Sequence, residues 1–165
     1  MSDKTRQYEL LCRQVESLAA GETNRVGVLA NVASAMKEMF PATFFWVGFY
    51  LVGEEEGHGK DSGPMLRLGP FQGPVACYTI PFGKGVCGKA WKDRASVIVP
   101  DVNAFPGHIA CSSQSRSEIV VPIFGNDGTV KGVIDIDSTE YDMFDDTDRI
   151  YIEKIAKILA KELVL

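Results

Sequence analysis

The apolar positions of this chain change period along its length, and the changes predict its elements. Near the N-terminus they recur every three or four residues: Tyr8, Leu11, Cys12, Val15 and Leu18, then, beyond Gly21, Val26, Leu29, Ala33, Met36 and Phe40. Such spacing lines one face of a helix, so two helices are predicted, the second capped by Thr23 or Asn24 and ended by Pro41. Residues 43–51 are aromatic and β-branched and predict a strand, and 65–69 predict its returning partner across the polar, glycine-rich stretch 53–63, an exposed hairpin loop. A short strand is expected over 75–80, a short helix over 85–92 and another short strand over 96–99. The stretch 101–115 has no periodicity and carries Pro106, Gly107 and a serine run, which predicts a long functional loop. Two strong strands follow, Ser117 to Phe124 and 129–137, hinged on an Asn126-Asp127-Gly128 turn. Asp145 is placed to cap a last helix with apolar positions Ile152, Ile155, Ile158, Leu159 and Leu163. Helices at both ends and hairpins between them predict an α+β fold, an antiparallel sheet with helices packed on it. No repeat or linker interrupts the pattern, so a single domain is expected over 1–165.

Period two also sorts the acids. In Val133-Ile134-Asp135-Ile136-Asp137 successive side chains point to opposite faces, so Asp135 and Asp137 share one face with Val133 and the two isoleucines take the other. An antiparallel sheet often wets one face, which is the plain reading of those carboxylates. The functional reading is a pocket for a cationic group, joined by Glu118 from the neighbouring strand. Three convergent acids suit an ammonium ion, and their mutual repulsion would raise a pKa enough to make one a proton donor. Trp46 and Tyr50 share a parity in the first strand, either as core or as an aromatic wall for an apolar ligand group. Trp91 reads as core.

Composition narrows the function classes. With 45% hydrophobic and 24% charged residues the chain is an ordinary globular one. Its net charge of −5, with signs mixed and no basic stripe, argues against nucleic acid or anionic lipid as partner. The opening MSDKTRQ is followed by no apolar signal segment, and no apolar run is long enough to span a membrane, so a cytoplasmic protein is expected. That compartment gives the cysteines their interest. Cys77, Cys87 and Cys111 cluster in the middle of the chain, and thiols there are more often catalytic, redox-active or metal-binding than structural disulfides. Their long gaps lack the short spacing of structural zinc sites. Cys12 sits on an apolar helical face and reads as packing.

The sequence GKGVCG (83–88) matches G-x-G-x-x-G, but its helix is short and no βαβ unit surrounds it. The glycines are expected instead to make a tight turn that puts Cys87 in the first turn of a helix, where the helix dipole favours a thiolate. His108 precedes Cys111 by three residues and could form a dyad with it, though an exposed loop histidine is the simpler expectation because no periodicity turns the two side chains together; His58 is expected to be solvated.

Six stretches together, FWVGFY (45–50), GPFQGPVAC (69–77), GKGVCG (83–88), DVNAFPGHIAC (101–111), SEIVVP (117–122) and GVIDID (132–137), resemble the free methionine-(R)-sulfoxide reductases, which are stand-alone GAF-domain enzymes. The resemblance implies a central sheet of about six antiparallel strands, with the N- and C-terminal helices on one face and a short helix and loops over the other. It implies that Cys111 attacks the sulfoxide and becomes a sulfenic acid, and that Cys77 resolves it as a disulfide which thioredoxin reduces. Cys87 matches a third family cysteine in the same pocket, a second candidate for nucleophile or resolver. Glu118, Asp135 and Asp137 match acids that hold the substrate ammonium and assist protonation, and Trp46, beside Tyr50, matches an aromatic at the methyl end. The resemblance implies no cofactor and no metal, and a homodimer. A non-catalytic GAF module sensing a small ligand or redox state is the competing expectation.

Overall fold

In a computed structural model of the chain, residues 1–53 and 63–165 are described; the loop expected over 53–63, with His58, lies almost wholly outside them. The helices are α1 (Asp3–Ala19), α2 (Arg25–Met39), α3 (Gly85–Asp93) and α4 (Asp146–Glu162). The strands are β1 (Trp46–Val52), β2 (Met65–Gln72), β3 (Thr79–Pro81), β4 (Val97–Val99), β5 (Ser117–Phe124) and β6 (Val130–Ser138). All pairings are antiparallel, in the order β3-β2-β1-β6-β5-β4, so β1 and β6 run down the middle. This is the α+β arrangement expected.

Alternation divides the molecule into two apolar layers. Val47 and Phe49 of β1, Ile119, Val121 and Ile123 of β5, and Ile134 and Ile136 of β6 face α1, α2 and α4. Trp46, Tyr50, Val120 and Val133 face the other way, toward α3 and the loops. A strand offers every second side chain to each layer, so shifting β6 by one residue would put both aspartates among the helices.

The helix ends carry their own determinants. Asn24 caps α2 by accepting from the Gly27 backbone N–H, and Asp145 forms a capping box with Asp148 at α4. The same Asp148 is buried and accepts hydrogen bonds from Tyr8 Oη at 2.5 Å and Lys4 Nζ at 2.6 Å, which ties α1 to α4. No helix among the described residues is long and apolar enough to cross a membrane.

Four expectations need correction. The buried face of α2 is Val28, Leu29, Val32, Ala33, Ala35 and Met36, and Val26 is exposed. Both stripes are apolar, and packing against the sheet selects between them. The strand expected over 75–80 is β3 alone, because the chain leaves the ladder to bring Cys77 toward Cys111. Conversely β2 runs on to Gln72, held by pairing of Phe71 and Gln72 with Gly48 and Val47. Trp91 is half-buried, with its ring edge-on to Phe82.

Candidate active site

The face of the sheet opposite the terminal helices carries a pocket lined by Trp46, Tyr50, Cys87, Cys111, Glu118, Asp135 and Asp137. Two segments cover it, the turn between β2 and β3 and the long loop between β4 and β5. A disulfide joins them, Cys77 to Cys111, with Cα atoms 5.5 Å apart across a separation of 34 residues. That spacing is ordinary for a disulfide, and the bond holds the long loop folded back over the sheet.

The turn with Cys77 is anchored to β1 from below. Trp46 Nε1 donates to the Pro74 carbonyl and Tyr50 Oη to the Cys77 carbonyl, each at 3.0 Å. Trp46 stacks on Phe71 at 5.2 Å between centroids and on Tyr50 at 5.9 Å, so an aromatic wall stands at this end of the pocket. Gly48 makes the stack possible: a Cβ there would lie 2.4 Å from Phe71 Cβ and 2.7 Å from the end of the Trp46 ring. Phe71 lies beyond the strand expected over 65–69, so sequence reasoning misses it.

On the other side, α3 enters under the long loop. Gly85 has φ +60°, a conformation that glycine adopts without strain, and a Cβ there would press on Ile109 at 3.1 Å. The Gly83 N–H donates to the Gly88 carbonyl, so the glycines do make the tight turn expected and set Cys87 into the pocket floor.

The acids converge as alternation required. Glu118 lies directly opposite Asp137 in the β5–β6 ladder, and the wet-face reading fails: Glu118 and Asp135 are 5% and 6% exposed. Burial is the largest cause raising all three carboxyls well above their ordinary range. Repulsion from Asp137 adds for Glu118, from Glu118 for Asp135, and from Asp135 for Asp137. Glu118 and Asp135 share a hydrogen bond, which requires one of them to carry the proton, and Ser115 hydrogen-bonds Asp137. Asp135 Oδ1 is buried with no hydrogen-bond partner among the described residues. A buried acceptor costs free energy while it stays unpaired, so this atom is open to an incoming donor.

Two further groups depart from expectation. Cys87 is not a dipole-stabilised thiolate. Burial first, then Asp135 and Glu118, push its pKa well above that of a free thiol, and its S–H bonds Asp135. His108 is not an exposed loop residue: its Nε2 lies 3.7 Å from Glu118 Oε2 and its side chain is 15% exposed. Burial lowers its pKa, which keeps it neutral near pH 7. Burial thus favours the uncharged forms of the acids, the thiol and the imidazole in this pocket, beside a disulfide.

A single sheet whose terminal helices cover one face and whose pocket lies under α3 and loops on the other defines a small-molecule-binding domain. The family model described as GAF domain matches residues 22–163, and the chain belongs to that family. It is 51% identical over 156 residues to GAF domain-containing protein A of Dictyostelium discoideum, covering 94% of this chain and 92% of that one. It is 44% identical over 165 residues to the free methionine-R-sulfoxide reductase of Saccharomyces cerevisiae, covering 98% and 88%. The X-ray structure of free methionine-R-sulfoxide reductase from Neisseria meningitidis in complex with its substrate superposes with a TM-score of 0.89 at 50% identity, covering 99% and 92%. Within the GAF family, the chain belongs with the free methionine-R-sulfoxide reductases.

Proposed function

We propose that this chain reduces free methionine-(R)-sulfoxide to methionine at the pocket described, with Cys111 as nucleophile. One observation carries the reading: the Cys77–Cys111 disulfide sits at a pocket that also presents two buried acids, a half-buried third and an aromatic wall. Cys111 attacks the sulfoxide sulfur, and the oxygen receives a proton from Glu118, whose pKa burial raises toward that of a proton donor. Oxygen transfer leaves methionine and Cys111 sulfenic acid. The Cys77 thiol displaces water from that acid and closes the disulfide. His108, more exposed than Glu118 and beside it, offers a route for returning the proton.

Asp135 and Asp137 would receive the substrate ammonium, which supplies the donor that Asp135 Oδ1 lacks. A methionine sulfoxide within a peptide has an uncharged amide there, so the same pair restricts the enzyme to the free amino acid. Trp46, with Tyr50, would pack on the methyl end. The cavity in this disulfide form is about 40 Å³, room for roughly three waters and not for the amino acid. Reduction of the disulfide would therefore part the two loops before substrate enters. Hydrogen exchange should show the long loop less protected in the reduced protein; equal protection in both forms would count against that motion.

The disulfide must be returned to two thiols, and a thioredoxin-class dithiol is the reductant proposed, acting by thiol exchange in a cytoplasmic setting. Val75 and Tyr78, 87% and 83% exposed on either side of Cys77, support a protein docking there. Leu10 and Ile150, exposed on α1 and α4, support a homodimer. No step needs a cofactor. The competing reading as a sensing module predicts ligand binding without turnover. The test is methionine formation from racemic free methionine sulfoxide with dithiothreitol: wild type should consume half the racemate and Cys111→Ser none. Equal turnover by the variant would remove Cys111 from its role, and an inert wild type would favour the sensing module.

A further inference from the structure

The floor of the pocket groups ligands that the reductase reaction does not use together. Cys87 Sγ, a Glu118 carboxylate oxygen and an Asp135 carboxylate oxygen all lie within 4.8 Å of one another, and all three residues are buried. They come from three elements, α3, β5 and β6, so their convergence is a property of the fold and not of one loop. Asp135 is 6% exposed, and its Oδ1 has no hydrogen-bond partner among the described residues. His108 Nε2 stands 3.7 Å from Glu118 Oε2 on the loop above. A tetrahedral zinc ion with bonds of about 2.0 Å to oxygen and nitrogen and 2.3 Å to sulfur spaces its ligands by about 3.3–3.8 Å. The group therefore needs to contract by at most about 1.5 Å, within the reach of side-chain rotation.

We propose that Cys87, Glu118 and Asp135 form an inhibitory site for a soft divalent cation of the zinc class, its fourth position left to a solvent molecule. One thiolate and two carboxylates offer three negative charges against two positive ones, and the thiolate selects zinc-like ions over magnesium or calcium. Binding forms one metal–sulfur and two metal–oxygen bonds and releases to solvent the protons those groups held. No redox change occurs. The site claims Asp135, assigned above to the substrate ammonium, and Glu118, the proton donor, so cation and amino acid exclude each other. The cation would thus be an inhibitor and not a cofactor. Its binding is measurable where no turnover takes place, so the site stands independently of the reductase reading.

The test uses the protein with its Cys77–Cys111 disulfide intact, so that neither of those sulfurs can bind metal. Calorimetric titration with Zn²⁺ should show one ion per chain, and Co²⁺ should give a thiolate-to-cobalt charge-transfer band. Cys87→Ser should abolish the band and weaken Zn²⁺ by about 100-fold or more, since even partners one shell out cost 10–100-fold. Cys12→Ala should change neither. Absence of binding at about 1 mM Zn²⁺, a free energy of only about −4 kcal/mol, would overturn the proposal. So would binding that survives Cys87→Ser. If a variant fails to fold, the wild-type cobalt band still decides, because tight binding without a thiolate band puts the ion elsewhere.

Discussion

Replacing Asp135 by Asn should make the protein more stable and less active, and the pocket electrostatics give the size of both effects. Unfolded, an aspartate ionises at about pH 3.9. In the fold, burial and then Glu118 raise the Asp135 pKa well above that. Between the two values the folded state holds a proton that the unfolded state has released. Stability contributed by this group is therefore full below about pH 4 and falls as pH rises toward the folded pKa, by about 1.4 kcal/mol per unit. Asn has no proton to lose. It retains a donor and an acceptor for Glu118 and Cys87, and Asp135 Oδ1 has no partner to forfeit. One pH unit of that slope, about 1.4 kcal/mol, corresponds to a melting-temperature gain of about 3–6 °C at this chain length. The comparison is made with the disulfide closed and at pH 8, where His108 is neutral in both states. The two proteins should converge near pH 4. Loss of a charged hydrogen bond to the ammonium, about 1.5–3 kcal/mol, should lower kcat/KM by about 10- to 150-fold. An Asn variant that melts below wild type at pH 8 would refute the account of Asp135 as a buried, proton-holding acid.

Other consequences follow from the same geometry. Glu118→Gln keeps the shape but cannot give up a proton, so kcat should fall about 10²- to 10³-fold with KM little changed, and stopped-flow pH profiles should lose the decline that wild type shows as pH rises through the raised Glu118 pKa. Cys77→Ser should still release one equivalent of methionine per chain in rapid quench and then hold a Cys111 sulfenic acid that a dimedone probe labels; repeated turnover with thioredoxin would argue for another resolver. Tyr78→Ser should raise the KM for thioredoxin several-fold and leave turnover with dithiothreitol unchanged, because the small thiol needs no docking surface. Tyr8→Phe should cost about 1–3 kcal/mol in urea unfolding, since it removes a buried donor from Asp148.

What was legible in the sequence is what strict period two and end-capping chemistry determine. Asp135, Asp137, Trp46 and Tyr50 had their faces fixed by alternation before any partner was known, and Asp145 by its position ahead of an apolar helix. Long-range packing determines the rest. Either apolar stripe of α2 could have been buried, and only contact with β1 and β2 chose Val28 over Val26. His108 lies in a loop with no period, and it reaches Glu118 because the chain is drawn back to Cys77. Both distances are set by partners far away in sequence.

Cys87 shows how a correctly placed residue still yields the wrong chemistry. Its position in the first turn of α3 was readable, and from that turn alone a thiolate followed. A helix N-terminus contributes about 0.3–1 kcal/mol toward an anion. Against it stand full burial and two acids close by, Asp135 and Glu118, and each pKa unit by which they raise the thiol is worth about 1.4 kcal/mol. Burial and the acids outweigh the dipole, and Cys87 stays a thiol. Cysteines attack sulfoxides and sulfenic acids as thiolates, so one held protonated is a poor nucleophile and a poor resolver while the acids surround it. That favours Cys111 and Cys77, which the fold joins at the pocket, for the two chemical roles proposed above. It leaves Cys87 as a hydrogen-bond donor to Asp135 until an ion able to replace three protons at once enters the pocket.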